Sequence, residues 1–187
     1  AWVLSSWQVV VGEYAKMGKE IKITTIPYEF KGFMGMRNFI IQDSEGRKLA
    51  WANSNWTHLD ISTGLPARLT PADTDNYVLG EKMEMDYAPR KIKLPEDMIA
   101  QEAFTVQKHH LDTNHHVNNC QYVCMAEDFL PESFKIYQMR AEYKMQAKLG
   151  DVICPKVKTE TDKVVVSLDN IEGKAYAIKS DRSHVVP

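Results

Sequence analysis

One short stretch of the chain contains the side chains best suited to catalysis. It reads Leu111-Asp112-Thr113-Asn114-His115-His116-Val117-Asn118-Asn119-Cys120-Gln121-Tyr122. If this segment is extended, Asp112, Asn114 and His116 project to one side, because side chains alternate along a strand. An imidazole is the group best tuned to transfer protons near neutral pH. A carboxylate, an amide and an imidazole arranged in this way could hydrolyse an acyl bond without a covalent nucleophile.

A helix is predicted directly after these residues, from Asn118-Asn119 to about Phe129. Apolar residues recur at helical spacing as far as Leu130, and either asparagine can cap the first turn. The start of a helix presents unpaired N–H groups and a partial positive charge, which suit a carbonyl oxygen. Asn118 and Asn119 are therefore candidate substrate-binding residues.

A structural role is the alternative reading of the same side chains. An isolated histidine is more often a buried, hydrogen-bonded structural group, and His116 could form such a pair with Asp112. The full pattern at a helix start favours function instead. Cys120 and Cys124 should share one face of the helix, where a small buried apolar role is commoner than a nucleophilic one.

A metal site is not expected, although four histidines lie close together. They form two adjacent pairs, and on a strand the members of each pair point to opposite faces. No cysteine or second carboxylate beside them has the spacing of zinc ligands. These histidines are His109, His110, His115 and His116.

Short alternating segments predict strands through most of the rest of the chain. In the first half the alternation covers residues 7–11, 21–23 and 39–41, with turns at 43–46 and 60–64. A polar stretch between Thr70 and Pro95 reads as a connector. In the second half the predicted strands cover residues 137–146, 152–160, 163–168 and 173–180, and Pro155 indicates an edge or an irregularity.

Two short echoes suggest that the halves are a duplication. Ala15-Lys16-Met17-Gly18 resembles Ala147-Lys148-Leu149-Gly150, and Glu45-Gly46-Arg47-Lys48 resembles Glu172-Gly173-Lys174. The offsets are 132 positions, from residue 15 to 147, and 127 positions, from residue 45 to 172. Subtracting 132 from the helix near Asn118 gives a position before residue 1, so the helix of the first repeat is expected upstream of this chain.

The composition is that of an ordinary globular protein. Of the 187 residues, 44% are hydrophobic and 26% are charged, and the formal net charge is -2. This charge argues against a nucleic-acid binder, which would carry a basic face. No apolar run approaches the roughly 18 residues of a membrane span. Three cysteines without a CxxC motif fit a reducing compartment.

The pattern Asp-x-Asn-x-His-Val-Asn-Asn-x-x-Tyr resembles the signature of the plant and bacterial acyl-acyl-carrier-protein (acyl-ACP) thioesterases. The likeness covers nearly the whole chain and extends to Trp2-Val3-Leu4-Ser5, residues 32–39 and Glu142-Tyr143-Lys144. It implies an α+β fold of two hotdog repeats, each an antiparallel sheet wrapped around a long helix. We therefore expect an acyl-binding repeat with its connector in residues 1–95 and a catalytic repeat in residues 96–187.

The resemblance also implies roles for single residues. Asp112, Asn114 and His116 would be catalytic, and Gln146 occupies a position where the family usually has a glutamate. A glutamine cannot accept a proton, and loss of a general base costs about 10²- to 10⁴-fold. Glu142 is a poor substitute, because four strand residues place it about 13 Å away. Phe33, Met34, Met36 and the tryptophans at 2, 7, 51 and 56 are candidates for the acyl tunnel or the core.

The expected activity is hydrolysis of fatty acyl-ACP without a cofactor. Alternatives are an acyl-CoA thioesterase and a non-catalytic acyl- or ACP-binding protein. The expected partner, acyl carrier protein, is acidic and should bind a basic patch. One candidate patch consists of Arg90, Lys91 and Lys93, and the other consists of Lys144 and Lys148. The expected location is cytoplasmic, or the plastid stroma for a plant protein, and a homodimer is left open.

Overall fold

The computed structural model describes residues 1–183, which divide into two compact units, Ala1–Arg90 and the described residues from Lys91 onward. Unit 1 contains four long strands and one short helix: β1 (Trp2–Val11), β2 (Ile21–Lys31), β3 (Met34–Asp43), β4 (Lys48–His58) and α1 (Pro71–Thr74). The strands are antiparallel neighbours in the order β2-β3-β4-β1. The alternating segments of the first half therefore form strands as predicted.

The connector of unit 1 is attached to the sheet by buried polar side chains. Asn38 is fully buried, and its Oδ1 accepts the Met83 N–H at 3.0 Å and lies 3.2 Å from the Tyr87 hydroxyl. Gln8 accepts the Ala88 N–H at 2.8 Å and donates to the carbonyl of Asp86 at 2.7 Å. These contacts satisfy backbone groups that have no strand partner.

One helix within the connector was not predicted. Thr70 caps α1, and its N–H and hydroxyl donate to the Asp73 carboxylate at 2.9 and 2.7 Å. Pro71 occupies the first turn, where its missing N–H costs nothing. The signal was present in the sequence as Thr-Pro-x-Asp, but a helix of four residues has no periodicity to detect.

Unit 2 repeats the connectivity of unit 1 and adds a helix. Its elements are β5 (Ile99–Ala100), β6 (Phe104–Thr105), a 3-10 turn (Lys108–His110), α2 (Asn119–Glu127), β7 (Ile136–Tyr143), β8 (Val152–Thr159), β9 (Lys163–Asp169) and β10 (Ala175–Ser183). The long strands lie in the order β8-β9-β10-β7, and β5 and β6 both pair with β8.

The shared connectivity supports the predicted duplication. In both units the first strand lies beside the fourth, and the sequence echoes fall in equivalent connections. Gly18 and Gly150 have φ values of 79° and 85°, and Gly46 and Gly173 have values of 82° and 78°. Each repeated sequence segment thus contains a glycine in the left-handed conformation, which the turn at that position requires.

The helix of unit 2 packs on one face of its sheet. Val164, Val166 and Ala177 lie beneath α2 with Tyr122 and Ala126 in the main core. The alternate side chains Val165 and Ile178 point to the other face, where they pack with Ile92. The strand β9 is buried on both faces, as its continuous valines indicate.

Two predicted boundaries in unit 2 were wrong. The helix ends at Glu127, not near Phe129, because the next residues form a turn before Pro131. Strand β7 ends at Tyr143, not at Gln146, because the N–H groups of Lys144 and Met145 both donate to the carbonyl of Tyr176. Two residues facing one is a bulge, which breaks the alternation of the strand.

Candidate active site

The segment that contains the candidate catalytic residues is a tight turn. Leu111 and Val117 form an antiparallel bridge, and the Asp112 N–H donates to the carbonyl of His116 at 2.8 Å. His115 has a φ of 61°, a left-handed conformation that is uncommon outside glycine. The expectation of an extended segment is therefore wrong, because the backbone reverses direction between residues 111 and 117.

The Asp112 carboxylate shapes this turn. Its Oδ1 accepts the N–H groups of Asn114 and His116 at 2.8 and 3.2 Å. Burial alone would raise the pKa of Asp112, but hydrogen bonds from His116 and Asn114 outweigh it and lower the pKa below its usual value. Asp112 is therefore held as an anion by the backbone N–H groups of both residues and by the side chain of Asn114, which makes it a positioning group for Asn114 and His116.

A second segment lies beside the turn. His116 pairs with Lys148 in an antiparallel bridge, and the Val117 N–H donates to the carbonyl of Ala147 at 2.9 Å. Gln146 directly precedes Ala147 and is exposed, as is Asn114, whereas His116 is half-buried. The structure thus brings Gln146 next to the turn, although the two are about thirty positions apart in the chain.

The start of α2 adjoins the same turn. The Asn118 N–H donates to the carbonyl of His110 at 2.9 Å, and the Asn118 Oδ1 accepts the Cys120 N–H at 2.8 Å. The predicted cap is therefore confirmed at Asn118. Because Asn118 satisfies the amides of both Cys120 and Gln121, the amide of Asn119, the first helical residue, is the donor best placed for a substrate carbonyl.

Two tyrosines join α2 to the segment that contains Gln146. The Tyr122 hydroxyl accepts the Ala147 N–H at 2.8 Å, and the Tyr143 hydroxyl donates to the carbonyl of Asn119 at 3.1 Å. Burial raises the pKa of Tyr122 to about 12, so its hydroxyl keeps its proton. The sequence motif included Tyr122, but the role of Tyr143 depends on a contact between distant residues and was not predicted.

Glu142 is committed to the structure of unit 2. It is buried, its Oε2 accepts the Ile92 N–H at 2.9 Å, and its Oε1 lies 3.7 Å from the Lys144 Nζ. Its cross-strand neighbour Ile178 belongs to the sheet face opposite α2. Glu142 is therefore engaged away from the motif turn.

The two helix cysteines are exposed, so the buried role expected for them is wrong. Partial desolvation and the neighbouring Cys120 nevertheless raise the pKa of the Cys124 thiol, which lowers the fraction of reactive thiolate. Within residues 1–183, no three histidine, cysteine or acidic side chains are grouped closely enough to hold a metal ion.

Unit 1 contains an aromatic cavity of about 330 Å³. It is lined by Trp2, Pro27, Phe30, Gly35, Met36, Arg37, Phe39, Trp56 and Tyr77. Of the methionine and phenylalanine candidates, Met36 lies in this lining, and Phe33 and Met34 do not. Phe33 is exposed at the turn between β2 and β3. The sulfur of Met34 accepts a hydrogen bond from the Thr57 hydroxyl at 3.4 Å. Trp7 is not part of the lining, but it packs against Phe39, which is.

Two family models match nearly all of the chain. Residues 1–77 match the acyl-ACP thioesterase N-terminal domain, and residues 93–182 match the acyl-ACP thioesterase C-terminal domain. The chain belongs to the acyl-ACP thioesterase family. This assignment confirms the family indicated by the Asp-x-Asn-x-His motif.

Solved structures show the fold of this acyl-ACP thioesterase family member. An acyl-ACP thioesterase from Bacteroides thetaiotaomicron has a TM-score of 0.88 at 20% identity, over 97% of this chain and 75% of its own. A 12:0-ACP thioesterase from Umbellularia californica has a TM-score of 0.84 at 18% identity, over 97% and 74%. A MaoC-like dehydratase from Phytophthora capsici reaches 0.62 at 12% identity, over 97% and 71%. The tandem hotdog fold is confirmed.

A search of the curated proteins returned no match. In the described part of this family member, residues 1–183, no helix has the length and apolar character needed to cross a membrane.

Proposed function

We propose that this protein hydrolyses fatty acyl thioesters on acyl carrier protein and releases the free fatty acid. One observation carries the proposal: the chain matches both domains of the acyl-ACP thioesterase family. Its motif residues Asn114 and His116 lie on a turn that adjoins the start of α2 and the segment containing Gln146. These are the elements that hydrolysis of a thioester requires, namely a proton acceptor, a water-binding amide and a donor for the carbonyl oxygen.

In the proposed reaction, His116 takes a proton from a water molecule that Asn114 and Gln146 orient. The water oxygen attacks the thioester carbon, and the Asn119 amide at the start of α2 stabilises the oxygen anion that forms. When the C–S bond breaks, the proton passes from His116 to the leaving sulfur, which departs as a thiol. Asp112 takes no proton in this scheme and keeps the turn in shape.

Replacement of His116 tests the proton acceptor. We expect His116→Ala to lower kcat by about 10²- to 10⁴-fold, because a general base contributes about that factor. Thiol release from acyl-ACP measures the rate, and thermal unfolding checks that the fold is intact. The neighbouring His115→Ala, whose side chain is exposed, is the matched control and should retain activity. Near-normal turnover by the His116 variant would exclude this mechanism.

Position 146 tests how much activity the natural glutamine permits. A glutamine can hold a water molecule but cannot take its proton, so we expect Gln146→Glu to raise kcat if His116 is an inefficient base alone. Thiol release by the parent protein and by Gln146→Glu should be compared over a panel of acyl chain lengths. A parent that is already active and gains little from glutamate would indicate that His116 suffices.

A non-catalytic acyl-binding protein is the second candidate, and Gln146 is the observation that favours it. It predicts tight binding of acyl-ACP with no hydrolysis above background, and recovery of turnover in the Gln146→Glu variant. An acyl-CoA thioesterase is separated from the main proposal by comparing the two carriers with the same acyl chain.

We further propose that the aromatic cavity of unit 1 receives the acyl chain. Its volume of about 330 Å³ is within the range of about 300–1,000 Å³ typical of ligand sites. Gly35 is part of its wall, and a Cβ atom there would lie 3.0 Å from the Trp2 ring and 3.2 Å from the Phe30 ring. Gly35→Ala should therefore shift the preference toward shorter chains, which a substrate panel would detect.

A cytoplasmic or plastid location and a homodimeric state also remain proposals. Light scattering during gel filtration tests the oligomeric state directly. A mass equal to one chain at the concentration used for the activity assay would exclude a dimer as the active form.

A further inference from the structure

Two exposed lysines lie beside the candidate active site in unit 2. The Val106 N–H donates to the carbonyl of Asp151 at 2.9 Å, and the Gly150 N–H donates to the carbonyl of Val106 at 3.1 Å. Lys108 follows Val106 by two positions and Lys148 precedes Gly150 by two, so both lie close to this contact. Both side chains are exposed. We call Lys108 and Lys148 the lysine rim.

The lysine rim adjoins the turn that carries the motif. Lys148 pairs with His116, and the 3-10 turn that begins at Lys108 ends at His110, whose carbonyl accepts the Asn118 N–H at 2.9 Å. A molecule that contacts both lysines would therefore lie beside the motif turn and the start of α2.

Two aspartates close to the lysine rim in the chain, Asp151 and Asp112, are engaged in hydrogen bonds. The Asp151 Oδ2 accepts the Lys148 N–H at 2.9 Å and lies 3.3 Å from the Tyr176 hydroxyl. The Asp112 Oδ1 is bound to backbone amides of its own turn. Within residues 1–183, neither ammonium of the lysine rim forms an ion pair with a carboxylate, so both charges are available to a partner.

An exposed apolar residue directly follows Lys148 in the chain. Leu149 is 52% exposed at the tip of a turn, in which the Asp151 N–H donates to the carbonyl of Lys148 at 3.1 Å. Cations that surround an exposed apolar side chain are typical of a protein-binding surface, because charge directs the approach and burial of the apolar group retains the partner.

The other basic cluster lies on the opposite face of the sheet. Ile92 packs with Val165 and Ile178, whose side chains point away from α2. Lys91 and Lys93 flank Ile92 and are exposed. They match the lysine rim in charge and exposure but lie away from the motif turn, so they are a natural control.

We propose that the lysine rim, with Leu149, is the docking surface for acyl carrier protein. This inference rests on the proposed function, since it identifies where the acidic carrier meets the same site. A negative carrier surface would be attracted to Lys108 and Lys148 and would contact Leu149. Its thioester-bearing arm would then lie next to Asn114, His116 and the start of α2.

Charge reversal tests the docking surface. We expect Lys108→Glu and Lys148→Glu each to lower kcat/KM for acyl-ACP by about tenfold, mainly through KM, because reversal of a rim charge slows association. The rate on the same acyl chain carried by pantetheine alone should stay within about twofold, because that substrate has no protein to dock. Added salt should reduce the difference between parent and variants.

Lys93→Glu is the matched control and should behave as the parent on both substrates. An equal loss in Lys93→Glu would show that only net charge matters and would overturn the proposal. An equal loss by Lys148→Glu on the pantetheine substrate would also overturn it, since the lysine would then act on the chemistry and not on docking.

Binding measured without turnover separates this proposal from the proposed function. Fluorescence anisotropy of labelled holo acyl carrier protein gives Kd for the parent and each variant. If the parent hydrolyses nothing but binds the carrier, and Lys148→Glu weakens binding about tenfold, the docking surface stands and the hydrolytic function fails. Unchanged binding in the double variant Lys108→Glu/Lys148→Glu would overturn the surface, whether or not the parent is active.

Discussion

At the scale of single residues, the backbone of one turn couples Asp112 to His116. The carboxylate accepts the N–H of His116 and of Asn114, so the position of the imidazole depends on an oxygen acceptor at residue 112. A negative charge is not needed for that role, because an amide oxygen can accept the same hydrogen bonds. The two functions of a carboxylate, charge and geometry, can therefore be separated by substitution.

We predict that Asp112→Asn retains activity within about tenfold of the parent, whereas Asp112→Ala loses about 10²-fold. The alanine variant leaves two turn amides without their acceptor, and a displacement of about 1 Å at a catalytic group costs about that factor. Steady-state thiol release measures both variants. Equal, large losses in Asp112→Asn and Asp112→Ala would show instead that the charge of Asp112 takes part in the reaction.

The motif residues illustrate what sequence can predict at this scale. Residue types and spacing indicated the helix cap at Asn118, which the structure confirms; the catalytic roles of Asp112, Asn114 and His116 stay predictions. They were not sufficient to predict the turn, because period-two alternation assumes an extended backbone. The left-handed conformation of His115 and the return of the Asp112 carboxylate to its own amides are local choices that the pattern does not encode.

At the scale of elements, buried polar side chains replace strand pairing for the connector of unit 1. The Asn38 Oδ1 accepts the Met83 N–H and contacts the Tyr87 hydroxyl, and its Nδ2 donates to the carbonyl of Ala52 at 3.2 Å. One fully buried asparagine thus joins the connector to two strands of the sheet. Loss of such a group leaves its buried partners unsatisfied.

We predict that Asn38→Ala lowers the free energy of unfolding by about 1–3 kcal/mol, the cost of buried groups left without partners. Urea unfolding followed by circular dichroism measures the change. Gln42→Ala is the control, because Gln42 lies on the same strand and its hydrogen bond to the carbonyl of Gly46 is exposed; it should change stability by less than about 0.5 kcal/mol. Equal effects of the two variants would contradict the anchoring role of Asn38.

The elements themselves were largely predictable, and their ends were not. In unit 1, alternating apolar residues indicated β1, β2 and β3 but not β4, and in unit 2 all four long strands were predicted. The end of β7 depends on the carbonyl of Tyr176 in β10, which receives two N–H groups from residues 144 and 145. That contact joins residues more than thirty positions apart in the chain, so no local pattern could indicate it.

At the scale of the whole molecule, the two units have one connectivity but different interiors. The offset of 127 positions relates Ala52 and Ser54 of β4 to Lys179 and Asp181 of β10. Lys179 and Asp181 are buried and form an ion pair, and Glu127 of α2 lies 3.9 Å from the Lys179 Nζ. The duplicated fold has therefore placed charges beneath the helix of unit 2 at positions that are small in unit 1.

Aspartates with a lowered pKa and the aspartate with a raised pKa affect stability in opposite pH ranges. Five of them have a lowered pKa, because hydrogen-bond donors outweigh burial: Asp43, Asp60, Asp73, Asp97 and Asp112. Their stabilisation is present above the unfolded pKa of 3.8 and is lost as the pH falls through the lower folded values. Burial raises the pKa of Asp181 to about 6, although Lys179 opposes this change. Its stabilisation is full below pH 3.8 and is lost as the pH rises through about 6.

We therefore predict that the parent protein loses more stability between pH 4.5 and pH 7 than Asp181→Asn does. The excess should be about 1–3 kcal/mol, because each unit of pKa shift corresponds to about 1.4 kcal/mol. The cross-strand neighbours of Asp181, Met139 and Val164, are uncharged, so the change belongs to Asp181 with its partners Lys179 and Glu127. Urea unfolding at several pH values measures it.

The comparison uses slopes and not absolute stabilities, because Asp181→Asn leaves Lys179 buried with a weaker partner and is expected to be less stable at every pH. All other titratable groups are common to both proteins and cancel in the difference. Asp128→Asn, an exposed position at the end of α2, is the control and should follow the slope of the parent. Parallel curves for the parent and Asp181→Asn would mean that the buried carboxyl keeps an ordinary pKa and that its ion pair with Lys179 compensates fully for burial.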